Sequence, residues 1–375
     1  MRAGAQCGWR AVSGWSLWIV LPLLVFGIAE SLVRGTADRV PTWYGAAARL
    51  AERGPLDVLF TGSSRIQAAI LSDVFADTVA RGAEHRLHVL NLGRGNSTGI
   101  QHYLGLRNLI RSHPQSLRGV TVFAEAVGGL PFPETWSTPW GMAEQPWMLV
   151  DLLQVSDLPA FWRSDGLDAG TKLQVTARVF LRRSALFNRR ERVREQWLTE
   201  LVPALVELRF PRLASLGDLG DDLHGRVYAT SIRTDDAAVR AARELAQRIG
   251  LAAERSEVSM RDWSGTVPAE LVRLVRQVGG QVVFLEPPLS EPFQRAYRTP
   301  LRREDVAIFA QQAQDWGACL LETPFAYTDD DLPDLWHLRA ELAPAFTRAA
   351  AQAWLARCGS AAHVRPRARM VQFRR

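Results

Sequence analysis

In DVLFTGSSRIQ, residues 57–67, a short apolar run ends in Gly-Ser-Ser before a helical pattern begins. A run of Val, Leu and Phe without alternating polar residues is typical of a strand buried on both faces, as in a parallel sheet. The two serines, Ser63 and Ser64, have two interpretations. They cap the following helix, as serine often does, or one of them presents a reactive hydroxyl at the end of the strand.

Four further apolar runs of the same kind follow, and helical patterns separate them. The predicted strands lie at 57–62, 87–93, 119–126, 281–288 and 317–324. The clearest predicted helices lie at 100–113, 268–280, 303–317 and 341–359. Alternating strands and helices predict an α/β fold in which about five parallel strands form a sheet with helices on both faces.

The N-terminal region predicts a membrane anchor. Residues 11–29, AVSGWSLWIVLPLLVFGIA, carry no charge over a length sufficient to cross the hydrocarbon core of a bilayer as a helix. The predicted protein is therefore a single-pass protein of the cytoplasmic membrane with its large domain outside the cytoplasm. The alternative is a cleaved signal peptide and a secreted protein, since Gly27-Ile28-Ala29 supplies small residues at a plausible cleavage site.

The pattern along the chain divides it into five parts. The predicted parts are a cytoplasmic stub and transmembrane anchor (1–34), the first part of the α/β core (35–130), a helical cap insertion (131–266), the second part of the core (267–360) and a basic tail (361–375). The insertion contains an arginine-rich tract at 182–195. Such a tract is either a solvated helix face or a contact for a membrane surface or polyanion.

Charge and cysteine content exclude several classes of function. The net charge is +6, from 45 Lys and Arg against 39 Asp and Glu, which favours anionic surroundings. Neither zinc-finger spacing nor an RNP-like aromatic motif is present, so no nucleic-acid partner is predicted. The cysteines Cys7, Cys319 and Cys358 form no CxxC motif, and no metal site or cofactor is predicted. Pairing of Cys319 with Cys358 is an open alternative if the domain is exported.

Residues that carry chemistry are expected at the carboxyl edge of the sheet, where an open parallel sheet gathers its active groups. Ser64 follows the first strand, and the motif Asp334-x-x-His337 follows the fifth. A serine needs a base, and the base needs a group that holds its tautomer. His337 Nδ1–H bonded to Asp334 would leave Nε2 toward Ser64. Gly95 and Asn96, after the second strand, are candidate donors to an oxyanion, together with the Ser64 amide.

These motifs resemble a known superfamily. Ser64 in GSSR, Gly95 in NLGRGNSTG and the pair Asp334/His337 in DLPDLWHLR are similar to blocks one, two and five of the SGNH (GDSL-like) hydrolases. The nearest branch is membrane-anchored and includes alginate acetylation proteins and the D-alanyl transfer protein. The resemblance covers about 57–130 and 280–358. It implies a three-layer, flavodoxin-like sheet with Ser64 as nucleophile, His337 as base and Asp334 as the group that orients it.

The resemblance has one departure. The third block of the superfamily carries an Asn in the oxyanion hole, and the corresponding FAEAVGGLPF, residues 123–132, has none. Asn96 is the candidate substitute.

The function implied is a membrane-anchored serine esterase or O-acyltransferase that acts on an acylated envelope glycan or similar ester. Its partners would be the lipid bilayer, the acylated carbohydrate and other envelope acylation proteins. The main alternative is a non-catalytic binding or assembly protein for an extracellular polysaccharide that keeps the SGNH fold. A third interpretation is a glycan-binding module, since the chain has 13 Trp.

Overall fold

A computed structural model of the chain describes residues 42–80, 86–95, 97–131, 147–150, 152–164, 167–181, 261–297, 299–322 and 327–358, with a few positions between 240 and 248. Five strands in these residues form one sheet. They are β1 (Val58–Thr61), β2 (Val89–Asn91), β3 (Thr121–Glu125), β4 (Gln281–Leu285) and β5 (Cys319–Leu321). All neighbouring strands are parallel, in the order β2-β1-β3-β4-β5. The predicted α/β fold with five parallel strands is confirmed, and the strand order is that of flavodoxin-like sheets.

Helices connect the strands. Those described are α1 (Thr42–Arg53), α2 (Ser64–Ala69), α3 (Ser72–Ala80), α4 (Gly99–Ser112), α5 (Trp147–Val150), α6 (Leu158–Arg163), α7 (Ala169–Leu181), α8 (Val267–Gln277), α9 (Glu291–Tyr297), α10 (Pro300–Asp315) and α11 (Ala343–Arg357). A short 3₁₀ turn spans Val155–Asp157. The four helices predicted most clearly from the sequence correspond to α4, α8, α10 and α11, with ends displaced by a few residues.

Helices cover both faces of the sheet, which explains why the strands lack polar alternation. On one face of the sheet, Phe60 of β1 and Phe123 of β3 pack with Phe75 of α3 and Trp354 of α11. Side chains one residue along point to the opposite face, where Phe284 packs against Phe309 of α10. Every residue of β1 and β3 is buried. A strand that contacts helices on both sides has no solvated face on which polar residues are needed.

The chain divides into two compact units. The larger unit comprises residues 40–152, 159–168 and 216–375 and contains the sheet. The smaller comprises residues 1–39, 153–158 and 169–215, and its described part includes the 3₁₀ turn and α7. The predicted anchor at 11–29, the arginine-rich tract at 182–195 and the basic tail at 361–375 lie outside the described residues. None of the helices in the described part of the chain is long and apolar enough to cross a membrane.

A disulfide joins the two ends of the last βα segment. Cys319, at the start of β5, is bonded to Cys358, directly after α11, with 5.9 Å between their Cα atoms. The sequence left this pairing open. The closed segment of the chain includes Asp334 and His337, so the cross-link fixes both ends of the segment that carries these two residues.

Candidate active site

The first element of the site is the turn between β1 and α2. Ser63 is the N-cap of α2, where its hydroxyl accepts a hydrogen bond from the Arg65 N–H at 3.3 Å. Ser64 is the first residue of the helix. The helix-cap interpretation of the serine pair therefore applies to Ser63, and the reactive-hydroxyl interpretation is left for Ser64. Ser63 caps the helix, and the Ser64 hydroxyl is directed elsewhere.

Gly62 makes this turn sterically possible. A Cβ at this position would lie 2.6 Å from Cγ1 of Ile66 and 2.9 Å from Cβ of Glu125, closer than side-chain atoms approach one another. The absence of a side chain lets the end of β1 pass between the first turn of α2 and the end of β3. Each residue of Gly-Ser-Ser therefore has a distinct place in the turn: Gly62 avoids a steric clash, Ser63 caps α2 and Ser64 begins the helix.

The second element is the tight turn Asp334–His337 after β5. Asp334 Oδ1 accepts the backbone N–H groups of Trp336 at 2.9 Å and of His337 at 2.8 Å. Leu335, between Asp334 and Trp336, has a left-handed backbone with φ of 64°, which is unfavourable for a residue other than glycine. Leu335 is buried, and its packing together with the two hydrogen bonds to Asp334 offsets that local cost. The turn explains the three-residue spacing in the sequence.

The structure brings Ser64, His337 and Asp334 together. His337 Nε2 lies 2.7 Å from Ser64 Oγ, and His337 Nδ1 lies 2.5 Å from Asp334 Oδ2. A carboxylate can only accept, so Nδ1 carries the proton and Nε2 offers a lone pair to the Ser64 hydroxyl. The side chains of His337 and Asp334 are 15% and 14% exposed. This is the arrangement of nucleophile, base and orienting group that activates serine in acyl transfer.

The Asp334 carboxyl is held in its ionised form. Partial burial acts to raise its pKa, but the hydrogen bond and charge of the His337 ring, with the backbone N–H groups of His337 and Trp336, outweigh burial, so that the net pKa is lowered. An ionised Asp334 can stabilise a positive charge on His337.

Gly95 lies beside Ser64, but its amide is engaged. The loop after β2 is held against the serine turn by the Arg94 N–H, which donates to the Gly62 carbonyl at 2.9 Å. The Gly95 N–H donates to Gln67 Oε1 at 3.1 Å, so it reaches an oxyanion only if Gln67 releases it. The Ser64 N–H lies in the first turn of α2, where backbone donors have no acceptor within the helix. Asn96 lies outside the described residues.

A buried histidine fixes the other end of the same loop. His102 Nε2 lies 2.7 Å from Ser97 Oγ, and the Ser97 hydroxyl is also within bonding distance of the carbonyls of Arg94 (2.5 Å) and Gly62 (3.2 Å). One hydroxyl has one proton to donate, so a proton on His102 Nε2 completes this network. Burial lowers the pKa of His102 to about 3, with a smaller lowering from the charge of Arg94 and an opposing effect of a hydrogen bond to the Gly62 backbone.

A cavity of about 50 Å³ adjoins the serine turn on the side of α4 and α8. It combines a polar wall with an apolar one, formed by Ser63, Ser97, His102, Glu125, Val267, Leu271 and Phe284 among others. Space of this size accommodates a few water molecules. Ser64 does not line the cavity, so it gives no direct access to the candidate nucleophile.

Sequence reasoning assigned no role to Glu125 and Arg65, which contact the site. Glu125 accepts hydrogen bonds from the backbone N–H and the hydroxyl of Ser63. Arg65 lies 3.6 Å from Glu125 and over the ring of Trp336. The sequence pointed to Glu125 in part, since it lies at the carboxyl end of a predicted strand. The contacts that Glu125 makes with the turn after β1 depend on the pairing of β1 with β3, which the sequence alone does not provide.

Comparison with known proteins gives no family assignment. No protein-family model matches this chain, and a search of the curated proteins finds no similar sequence. The resemblance to SGNH hydrolases therefore depends on the motifs around Ser64, Gly95 and His337, and membership of that superfamily stays a prediction.

Proposed function

We propose that this chain is a serine ester hydrolase or O-acyltransferase of the SGNH type, with a three-layer, flavodoxin-like core, in which Ser64 forms an acyl-enzyme. The proposal is carried by the two contacts of the His337 ring, with Ser64 Oγ at 2.7 Å and with Asp334 Oδ2 at 2.5 Å. Ser64 follows β1, and the other two residues follow β5. Their position at the carboxyl edge of a parallel sheet is where such folds hold their active groups.

The reaction begins when Ser64 Oγ attacks the acyl carbonyl carbon and its proton passes to His337 Nε2. Asp334 stabilises the imidazolium that forms. The bond between the acyl carbon and the alcohol oxygen then breaks, and His337 returns the proton to the departing alkoxide. In the second half, a water or sugar hydroxyl attacks the acyl-enzyme, and its proton passes through His337 back to Ser64 Oγ. Water gives hydrolysis and a sugar hydroxyl gives transfer.

The oxyanion of each tetrahedral intermediate needs preorganised donors. The Ser64 N–H, at the start of α2, is the first candidate. The Gly95 N–H is a second once Gln67 Oε1 is displaced, because substrate oxygen competes for the same donor. Asn96 is a third candidate on sequence grounds alone.

Several features support a site outside the cytoplasm. Disulfides persist mainly in oxidising compartments, and Cys319 is bonded to Cys358. The uncharged stretch at 11–29 fits export with an anchor in the cytoplasmic membrane, or secretion after cleavage. The proposed substrate is an acylated envelope carbohydrate or similar ester. The bilayer and other envelope acylation proteins are the proposed partners.

The test is labelling of the full-length protein with a fluorophosphonate, which reacts with an activated serine and loses fluoride. Label is expected on the peptide that contains Ser64, and Ser64→Ala abolishes it. Ser112→Ala is the control, because it removes the hydroxyl of an exposed serine at the end of α4 and should leave the label on Ser64 unchanged. Absence of label on folded wild-type protein, or label that persists in Ser64→Ala, contradicts the proposal.

A second candidate is a non-catalytic polysaccharide-binding or assembly protein. It is favoured by the oxyanion region, where the Gly95 N–H is bonded to Gln67. In addition, the segment that corresponds to the third block has no Asn, and its strand ends in Glu125. For this function, wild-type protein stays unlabelled, and its affinity for acylated polysaccharide is equal in Ser64→Ala.

A further inference from the structure

Glu125 contacts both residues that flank Ser64. Its side chain, 5% exposed at the end of β3, accepts the Ser63 hydroxyl at 3.0 Å through Oε1 and the Ser63 N–H through Oε2. The Arg65 guanidinium lies 3.6 Å from Oε1. A buried carboxylate is stable only with donors or an opposite charge nearby, and Ser63 and Arg65 supply both.

Arg65 carries this network to the turn that holds His337. The carbon of its guanidinium lies 4.7 Å from the centre of the Trp336 ring and 5.2 Å from that of Phe293, and these two rings pack edge to face. Trp336 directly precedes His337, and its N–H donates to Asp334. A planar guanidinium can pair with a carboxylate and lie on an aromatic face at the same time, whereas an ammonium group lacks this geometry.

We propose that Glu125 is a positioning residue, which fixes the Ser64 turn directly and the Asp334–His337 turn through Arg65 and Trp336. This inference rests on the proposed function. The two turns follow different strands and are 273 positions apart in the chain at their Ser64–His337 contact. The Glu125–Arg65–Trp336 connection links them independently of that contact. A displacement of about 1 Å between reacting groups typically costs about a hundredfold in rate.

The test is Glu125→Gln in the full-length chain. Gln has one acceptor oxygen, so its NH₂ group must face either the Ser63 backbone N–H or the Arg65 guanidinium, neither of which can accept a hydrogen bond. We expect the rate of fluorophosphonate labelling and the kcat on an aryl ester to fall about 10- to 100-fold, with KM changed by less than about twofold, since the proposed role of Glu125 is to hold the reacting groups and not to bind substrate. Arg65→Lys keeps the charge but loses the planar contact with Trp336, and we expect the same pattern.

Glu322→Gln is the matched control, because Glu322 also lies at the carboxyl end of a strand of this sheet but is exposed. It should leave kcat, KM and labelling unchanged. In Glu125→Gln/Arg65→Lys, the loss should be close to the larger single loss, because residues that act as one unit are not additive.

Two results overturn the inference. One is a folded Glu125→Gln variant whose labelling rate and kcat equal those of the wild type. The other is a variant that loses activity only because less of it is folded, while kcat per folded molecule is unchanged. The His337 Nδ1–H proton resonance separates this inference from the proposed function. If Ser64 of the wild type is not labelled, the proposed function fails. In that case, a His337 Nδ1–H resonance that is shifted in Glu125→Gln still supports the positioning role of Glu125, whereas an unchanged resonance overturns that role.

Discussion

At the scale of single residues, the orientation of His337 depends on Asp334. One carboxylate oxygen closes the turn by accepting two backbone N–H groups, and the other accepts the ring Nδ1–H. Asp334 therefore shapes the loop and selects the tautomer at once. Substitution with Asn separates these two tasks, because Asn keeps an acceptor oxygen for the turn but presents an NH₂ group to the ring.

We predict that Asp334→Asn lowers kcat on an aryl ester by about 10⁴-fold, the size of effect expected when the base is held in the wrong tautomer. The NH₂ group donates to Nδ1, so Nε2 carries the proton and cannot accept that of Ser64. Urea unfolding should change little, since the turn is kept. Asp330→Asn, an exposed neighbour in the same loop, is the control and should retain full activity. Near-normal turnover in Asp334→Asn would show that His337 does not act as the base.

Much of this residue-level arrangement was predictable, and the reason is local. The shapes of the DxxH turn and of the Gly-Ser-Ser turn are set by residues that are close together in the sequence. Parallel strands then bring these turns to the same edge of the sheet. The role of Glu125 was not predictable, because it arises from the register of β1 and β3, in which Thr61 lies opposite Ala124 and places Glu125 next to Gly62. The engagement of the Gly95 N–H by Gln67 likewise depends on how a loop packs on a helix.

At the scale of elements, the segment from β5 to α11 carries Asp334 and His337 and is closed by the disulfide. The helix packs on α3 and β5, with Trp354 against Phe75 and Phe123. Sequence patterns predicted both elements, but spacing alone could not decide whether Cys319 and Cys358 pair. Pairing requires Cα atoms within bridging distance, and these are 5.9 Å apart because α11 ends near the start of β5.

We predict that Cys319→Ala/Cys358→Ala lowers the free energy of unfolding by about 2–4 kcal/mol, because the cross-link restricts a segment of the unfolded chain. The sequence separation of the two cysteines is 39 residues. Urea unfolding of the double variant and the oxidised wild type gives the difference. Cys7→Ala is the control and should have no effect on the midpoint. Reaction of Cys319 and Cys358 with a thiol reagent in folded protein isolated without reductant would contradict the pairing.

At the scale of the whole molecule, the candidate site draws on four of the five strand ends. Ser64 follows β1, Gly95 follows β2, Glu125 ends β3 and His337 follows β5. Buried apolar strands between amphipathic helices were enough to predict the architecture, since burial on both faces leaves a clear sequence pattern. The anchor at 11–29 lies outside the described residues and stays a prediction.

The stability of the whole fold should depend on pH through His102, which lies where the loop after β2 meets β1 and α4. Its pKa is about 3 in the folded protein and 6.5 for the ordinary side chain, chiefly because burial disfavours the charged ring. The unfolded chain therefore binds a proton below pH 6.5 that the folded protein does not bind until about pH 3. The contribution of neutral His102 to the free energy of unfolding is therefore fully present above pH 6.5 and is lost as the pH falls toward 3.

We predict that His102→Gln makes the free energy of unfolding less dependent on pH between 6.5 and 5, by up to about 1.4 kcal/mol per pH unit, the limit for one proton. Gln keeps an N–H donor for Ser97 but does not titrate, so the difference from wild type isolates this proton. Asp334, whose pKa is lowered from 3.8, ionises below this range and does not contribute to it. Urea unfolding at pH 7, 6 and 5 measures both slopes, and His88→Gln, at an exposed histidine, is the control. Parallel slopes for wild type and His102→Gln would mean that His102 takes up its proton in the folded protein as readily as in the unfolded chain.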